Sequence, residues 1–239
     1  MSKQLKVAFV SDLHYSTKPI VPSRKGEIIP VLLADMIGKF NREIHPDLVL
    51  FGGDLINDST AEDARRLTGV LAGIIALLDM PYCVIRGNHD LPQEEFTKIF
   101  PFRQITDVDF LRVVAFDDPE LPQCNAYRRP EDYDVMRNAA KNHNGLLVSL
   151  QHCPLTPDDY CCYNYKDNHD LLALMKECGY RASIAGHHHE GIPLTECDGL
   201  QFYTPTALCA PPCSVGIMNI TQNGITNVET LSVPLPDYA

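Results

Sequence analysis

Short apolar runs alternate with longer segments of helical period along most of this chain. Residues 6–11, 48–51 and 82–85 are brief runs rich in Val, Ile, Leu and Phe, and each gives way to Gly, Asp or Asn. Such runs read as strands. Between them, 28–44 carries Val31, Leu32, Ile37 and Phe40 near helical spacing, and Ser59 or Thr60 can cap a helix running to Leu78. The same alternation predicts a short helix over 93–100, a strand over 110–116, a helix over 131–143 and a strand over 145–150. A helix over 168–178, stopped by Gly179, then leads to a strand over 182–185.

After Gly186 the period shortens. Segments 191–195, 200–203, 215–220 and 225–231 read as strands divided by Gly, Asp-Gly and Asn-Gly turns, which predicts a terminal β meander. The pattern as a whole predicts one α/β domain over residues 1–239, with a mixed sheet or two packed sheets. Residues 234–239 read as a loose tail.

Composition narrows the function. Hydrophobic residues make up 45% of the 239 and charged residues 21%, an ordinary globular balance. The formal net charge is −11 with no run of Lys or Arg, which argues against general nucleic-acid binding and against an anionic membrane surface. It also means that a phosphate-bearing ligand needs a local reversal of sign, which bound metals provide. The opening apolar stretch is too brief for a signal-peptide core, and no segment has the length to cross a bilayer. The nine cysteines are odd in number and lack Cys-x-x-Cys spacing, so they read as reduced thiols of a cytoplasmic protein. Cys161-Cys162 can be a redox pair, though packing explains it as well.

The chemistry lies where strands end. The first apolar run leads into Asp12-x-His14, the second into Gly52-Gly53-Asp54, and the third into Gly87-Asn88-His89-Asp90. Later runs lead into Gln151-His152 and Gly186-His187-His188-His189. Ligands of α/β sheets gather beyond the carboxyl ends of strands, so these side chains share one crevice if the strands are neighbours. Carboxylate, imidazole and amide oxygen suit Mn, Fe, Zn, Co or Ni. In extended backbone, Asp12 and His14 point the same way, as do His187 and His189, while His188 points away. Seven donors exceed what a single tetrahedral zinc with an open position uses, and they suit two metals sharing a carboxylate.

Asp12-x-His14, Gly53-Asp54, Gly87-Asn88-His89-Asp90, His152 and Gly186-His187-x-His189 together resemble the ordered motif series of the calcineurin-like metallophosphoesterases. The resemblance implies a sandwich of two mixed β sheets flanked by helices. It implies a metal-dependent hydrolysis of a phosphomonoester or phosphodiester, with cyclic nucleotides among the candidates, by a hydroxide held between two metals. Asp12, His14 and His189 correspond to ligands of a first metal, Asn88, His152 and His187 to ligands of a second, and Asp54 to the bridge. His89 corresponds to the catalytic imidazole. The expected partner is a small-molecule phosphate ester. The alternative is a non-catalytic metal-binding or scaffold protein on the same fold.

The sequence departs from some branches of that superfamily. Serine/threonine phosphatases place an Asp, followed by an Arg, where this chain has Asn57-Asp58, and purple acid phosphatases place a metal-binding Tyr there. The small size, Gly-Asn-His-Asp and the ending 205–209 look more like the bacterial cyclic-nucleotide phosphodiesterase branch.

Other residues carry two readings each. Asn57 and Asp58 can orient His89 or cap a helix. Asp90 organises its loop, and Arg86 can meet phosphate or solvent. Tyr160, Tyr163 and Tyr165 in loop 154–167 can cover the site or simply pack. Tyr127, Arg128 and Arg129 in loop 119–130 can hold a second phosphate or lie in solvent.

Overall fold

The computed structural model describes residues 3–235. Three parallel strands, β1 (Leu5–Val10), β2 (Leu48–Phe51) and β3 (Tyr82–Val84), form one side of the first sheet. Two long helices connect them: α1 (Ile29–Lys39), continued by a π-helical turn at Phe40–Ile44, and α2 (Ala64–Ile75). A short helix, α3 (Gln93–Phe96), follows β3.

The second sheet begins with the antiparallel pair β4 (Ile105–Val108) and β5 (Leu111–Ala115). A small ribbon of β6 (Glu120–Leu121) and β7 (Asn125–Ala126) leads to α4 (Pro130–Ala140) and β8 (Leu146–Gln151), which lies parallel to β5. Helix α5 (Asn168–Glu177) then returns the chain to β9 (Tyr180–Ala185), parallel to β8. The last strands are β10 (Ile192–Cys197), β11 (Leu200–Thr204), β12 (Ser214–Thr221) and β13 (Gly224–Ser232).

These last four do not form the meander expected from their spacing. Strands β10 and β11 complete the second sheet, in the order β10-β11-β9-β8-β5-β4. Strands β12 and β13 complete the first, in the order β13-β12-β1-β2-β3. The chain changes sheets across residues 205–213, and turn spacing alone does not encode that crossing. The two mixed sheets flanked by helices are otherwise the architecture that the motif resemblance implied.

Alternation along the strands explains the layering. Val7 and Phe9 of β1, Leu48 and Leu50 of β2, and Val148 and Leu150 of β8 pack together between the sheets. Ala8, Val10, Val49 and Phe51 face the other way, onto Leu32, Leu33 and Met36 of α1 and Leu67 and Leu71 of α2. On the far side, Val114 and Leu147 pack against Met136 of α4 and Leu171 of α5. Both faces of the central strands are therefore buried, which is why their sequences are continuous apolar runs.

The predicted helix over 59–78 begins later, at Ala64. Asp58 instead closes a tight turn, accepting from Thr60 N–H at 2.8 Å and from its hydroxyl at 2.6 Å. No helix among the described residues is long and apolar enough to cross a membrane. All nine cysteines carry free thiols. Of the expected loose tail, residues 236–239 lie outside the described residues.

Candidate metal centre

Parallel strands end at the same edge, and both sheets present their carboxyl ends together. Gly52 N–H donates to Val10 C=O at 2.8 Å, and Gly186 N–H donates to His152 C=O at 3.0 Å. The His152 ring crosses between the sheets, with Nδ1 2.7 Å from Gly52 C=O. The five sequence segments thus meet in one crevice.

The local backbone is not extended there. Asp12, His14, Asp54 and His187 all have positive φ, between 47° and 67°. Left-handed backbone is uncommon for residues other than glycine and collects at functional sites. The expectation that Asp12 and His14 converge by strand alternation is therefore corrected: both lie beyond the end of β1, in a strained loop. Two hydrogen bonds hold that loop against the next one, Asp12 N–H to Gly53 C=O at 3.1 Å and His14 N–H to Asp54 C=O at 2.9 Å. Gly53, with φ of 95°, leaves room for this crowding; a Cβ there would lie 2.6 Å from Gly87 N and 2.7 Å from His152 Nδ1.

The donor atoms form two groups that share one oxygen. In the first, His14 Nε2 lies 3.0 Å from His189 Nε2, and His189 Nε2 lies 3.4 Å from Asp12 Oδ1. In the second, His152 Nε2 lies 3.1 Å from Asn88 Oδ1 and 3.2 Å from His187 Nδ1. Asp54 Oδ2 joins them, 3.4 Å from His14 Nε2 and 3.3 Å from His152 Nε2. The other Asp54 oxygen accepts from the His89 backbone N–H at 2.9 Å, and the Asp12 carboxylate accepts from His187 N–H at 3.0 Å.

Tautomers follow from the outer partners. A carbonyl only accepts, so His152 Nδ1 donates to Gly52 C=O, and His187 Nε2 donates to Cys124 C=O at 3.1 Å. In the neutral rings, His152 Nε2 and His187 Nδ1 then face each other, Asp54 and Asn88 as lone pairs with no proton between them. Four acceptors meeting in this way call for a cation. The spacings agree: donors about 2.0–2.2 Å from an ion sit about 3.0–3.5 Å from one another. The residues present fit two such ions. His14 Nδ1 is buried without a hydrogen-bond partner.

Charge in the crevice points the same way. Burial pushes both carboxyls up, but a hydrogen bond from His189 carries Asp12 below the ordinary carboxylate value, and the charge of His152 does so for Asp54. Burial depresses His14 to about 4, and burial together with the nearby charge of His152 depresses His187 to about 4. For His152, burial is outweighed by Asp54, and the ring is pushed up to about 10. Without other cations, the paired carboxylates hold a proton at the point where the donors converge.

His89 stands beside these groups. Its Nδ1 donates to the backbone carbonyl of Asn57 at 2.7 Å, and its ring meets His14 edge-on at a centroid distance of 4.7 Å. A backbone carbonyl thus orients the imidazole, so the side chain at position 57 is free to differ. Among the described residues His89 also comes near enough to His14 and Asp54 to share a cation with them.

Asp90 is buried and ties loops together, accepting from Leu55 and Ile56 N–H on one oxygen and from Gly87 N–H on the other, at 2.8, 3.1 and 2.9 Å. Burial and the charge of Asp54 push its carboxyl up to about 7 against those donors. His188 lies outside the two groups, and its ring faces Tyr163 at 6.0 Å.

Several residues around the centre carry an ambiguous signal in the sequence, or none. Tyr163 packs edge-on against His187 at 4.6 Å, whereas Tyr165 is buried and donates to Asp118 at 2.6 Å, and Tyr160 lies against Phe202. The Cys209 thiol lies beside His14 and His189, and burial pushes it up to about 12, so it stays protonated. The backbone carbonyls of Gly52, Asn57 and Cys124 carry no residue-type signal at all. Arg128 neither binds an open site nor lies in solvent. It is fully buried against Asp118 at 2.8 Å and stacked over Phe116 at 3.5 Å.

A family model described as calcineurin-like phosphoesterase matches residues 5–191. The chain is 23% identical over 169 residues to a cAMP/cGMP dual specificity phosphodiesterase of Mycobacterium tuberculosis. That match takes in 66% of this chain and 53% of the relative, so the chain spans about half of that protein's length. It is 25% identical over 197 residues to a Synechococcus protein described as a probable cyclic nucleotide phosphodiesterase, covering 78% of this chain and 74% of that one. A crystal structure of a dimetal phosphatase from Danio rerio superposes with a TM-score of 0.71 at 14% identity, covering 96% of this chain and 99% of that one, a likeness of fold.

Proposed function

The chain belongs to the calcineurin-like phosphoesterase family, and from that membership we propose that it hydrolyses a phosphate ester at the crevice just described, with two metal ions as cofactors. The observation that carries this reading is the pair of donor groups meeting on Asp54 Oδ2 at spacings of 3.3 and 3.4 Å. Asp12, His14 and His189 would hold the first ion, Asn88, His152 and His187 the second, and Asp54 would be shared. When bound, two such ions would supply a water of lowered pKa and positive charge for the phosphoryl oxygens.

The chain's own residues do the rest. The carbonyls of Gly52 and Cys124 fix the rings of His152 and His187 with their lone pairs inward. The backbone N–H of His89 holds Asp54 by one oxygen and leaves the other free. His89 keeps its Nδ1 proton on Asn57 C=O, so the proton passed to the departing alkoxide is the second one, carried on Nε2 when the ring is an imidazolium. Its position beside His14, at the edge of the crevice, suits that task. The names of the relatives put cyclic nucleotides among the first esters to examine.

The test is turnover. With Mn(II) added, the protein should hydrolyse 4-nitrophenyl phosphate or bis(4-nitrophenyl) phosphate, and Asp54→Asn should not. If the metal-loaded wild type turns over neither these nor a panel of natural mono- and diesters, the reading fails.

A further inference from the structure

Cations are scarce around the centre, and most of those nearby are already paired. Arg86 is bonded to Asp117 at 2.9 Å and to Gly87 C=O at 3.3 Å. Arg128 is buried on Asp118, and Arg129 donates to Asp117 C=O at 2.7 Å. Arg24 is different. A cavity of about 400 Å³ opens on the centre, and its wall includes Asp54, Asn88, His89, His187, His189 and Arg24. Among the described residues, Arg24 is the only Arg or Lys on that wall.

The Arg24 side chain is half-buried, and its guanidinium makes no hydrogen bond or ion pair with any described residue. Glu190 lies on the same wall but beyond ion-pair reach. The backbone beneath it is fixed. Arg24 N–H donates to Val21 C=O at 2.9 Å, and Lys25 N–H donates to Cys209 C=O at 2.7 Å. Cys209 N–H in turn donates to Asp12 C=O at 3.1 Å. The loop that presents Arg24 is thus hydrogen-bonded, through one residue, to a residue of the centre itself. In a chain of net charge −11, a pinned and unpaired cation on this wall is complementary to an anion that arrives from outside.

We propose that Arg24 is a substrate-binding residue, an anion subsite that grips phosphoryl oxygens of the ester held at the centre. The proposal rests on the phosphoesterase reading above and adds a preference to it. A guanidinium offers several N–H donors in a planar fork and keeps its charge at any working pH. Its attraction scales with the charge it faces. A doubly charged phosphomonoester therefore gains more from Arg24 than a singly charged diester does, a cyclic nucleotide included.

The experiment compares wild type, Arg24→Ala and Arg24→Lys, all loaded with Mn(II) and checked for metal content. Each is assayed on 4-nitrophenyl phosphate and bis(4-nitrophenyl) phosphate, and each is titrated calorimetrically with inorganic phosphate. Arg24→Ala should keep its metals and lose about ten- to a hundredfold in kcat/KM on the monoester, the size of a lost hydrogen bond to a charged group. The loss should fall mainly on KM, be smaller on the diester, and be partly restored in Arg24→Lys. Phosphate affinity should fall in parallel. Metal loss in Arg24→Ala, equal losses on the two esters, or unchanged phosphate affinity would each overturn the proposal. If the wild type hydrolyses neither ester nor any of the natural mono- and diesters, the phosphoesterase reading fails by itself, and the phosphate titration still decides whether Arg24 is an anion subsite.

Discussion

Replacing His89 by Ala separates proton transfer from metal binding. The ring's one resolved hydrogen bond, from Nδ1 to Asn57 C=O at 2.7 Å, leaves Nε2 toward the crevice. Truncation removes that nitrogen but leaves the backbone N–H that holds Asp54. The seven proposed ligands therefore keep their places, and bound metal should stay at the wild-type level. A general acid contributes about 10²–10⁴-fold, or roughly 3–5 kcal/mol of barrier. That contribution depends on the leaving group: an alkoxide needs the proton, whereas a nitrophenolate leaves almost without it. Hydrolysis of an alkyl ester should therefore slow by about 10²–10⁴-fold, and hydrolysis of a nitrophenyl ester by much less. The assay is steady-state kinetics on the two ester classes beside metal analysis of the same samples. Equal slowing of both classes with the metals in place would refute proton donation and leave His89 a role in stabilising phosphoryl charge. Loss of metal would make His89 a ligand, which its closeness to His14 and Asp54 gives reason to check.

Two further perturbations have definite outcomes. His187→Ala and His189→Ala should each lower bound metal and activity sharply, while His188→Ala, whose ring faces Tyr163 at 6.0 Å, should retain both; elemental analysis of the three variants decides, and equal losses would count against the geometry. Arg128→Met should cost about 3–5 kcal/mol, because it leaves the buried Asp118 without its cation. That corresponds to a fall of roughly 6–20 °C in melting temperature for a chain of this size, and an unchanged melting temperature would contradict it.

Much of this was legible from residue type alone. The runs at 48–51 and 145–150 announced strands; their sequences are continuously apolar because helices cover one side of each sheet and the other sheet covers the second. β4 was missed because it is a half-exposed edge whose residues Ile105–Val108 alternate without an apolar run. The split of β10–β13 between two sheets was missed because hairpin spacing reports local turns and says nothing about which sheet receives them. At the centre, the side chains could be picked out because their motifs stand at strand ends. What orients them could not: the carbonyls of Gly52, Asn57 and Cys124 belong to backbone, and left-handed φ at Asp12, His14 and Asp54 has no counterpart in residue type. Asn57 shows the consequence. Its side chain departs from one branch's pattern, yet its carbonyl still holds His89.

The central claim is that two ions sharing Asp54 generate the activity, and metal titration tests it most directly. The protein is stripped with chelator, and Mn(II) is added back in steps while binding is followed by calorimetry and hydrolysis of a nitrophenyl ester is measured at each step. The account predicts no hydrolysis in the stripped protein, saturation at two ions per chain, and activity that rises with the second. Full activity without metal, or saturation of binding and activity at a single ion, would contradict it.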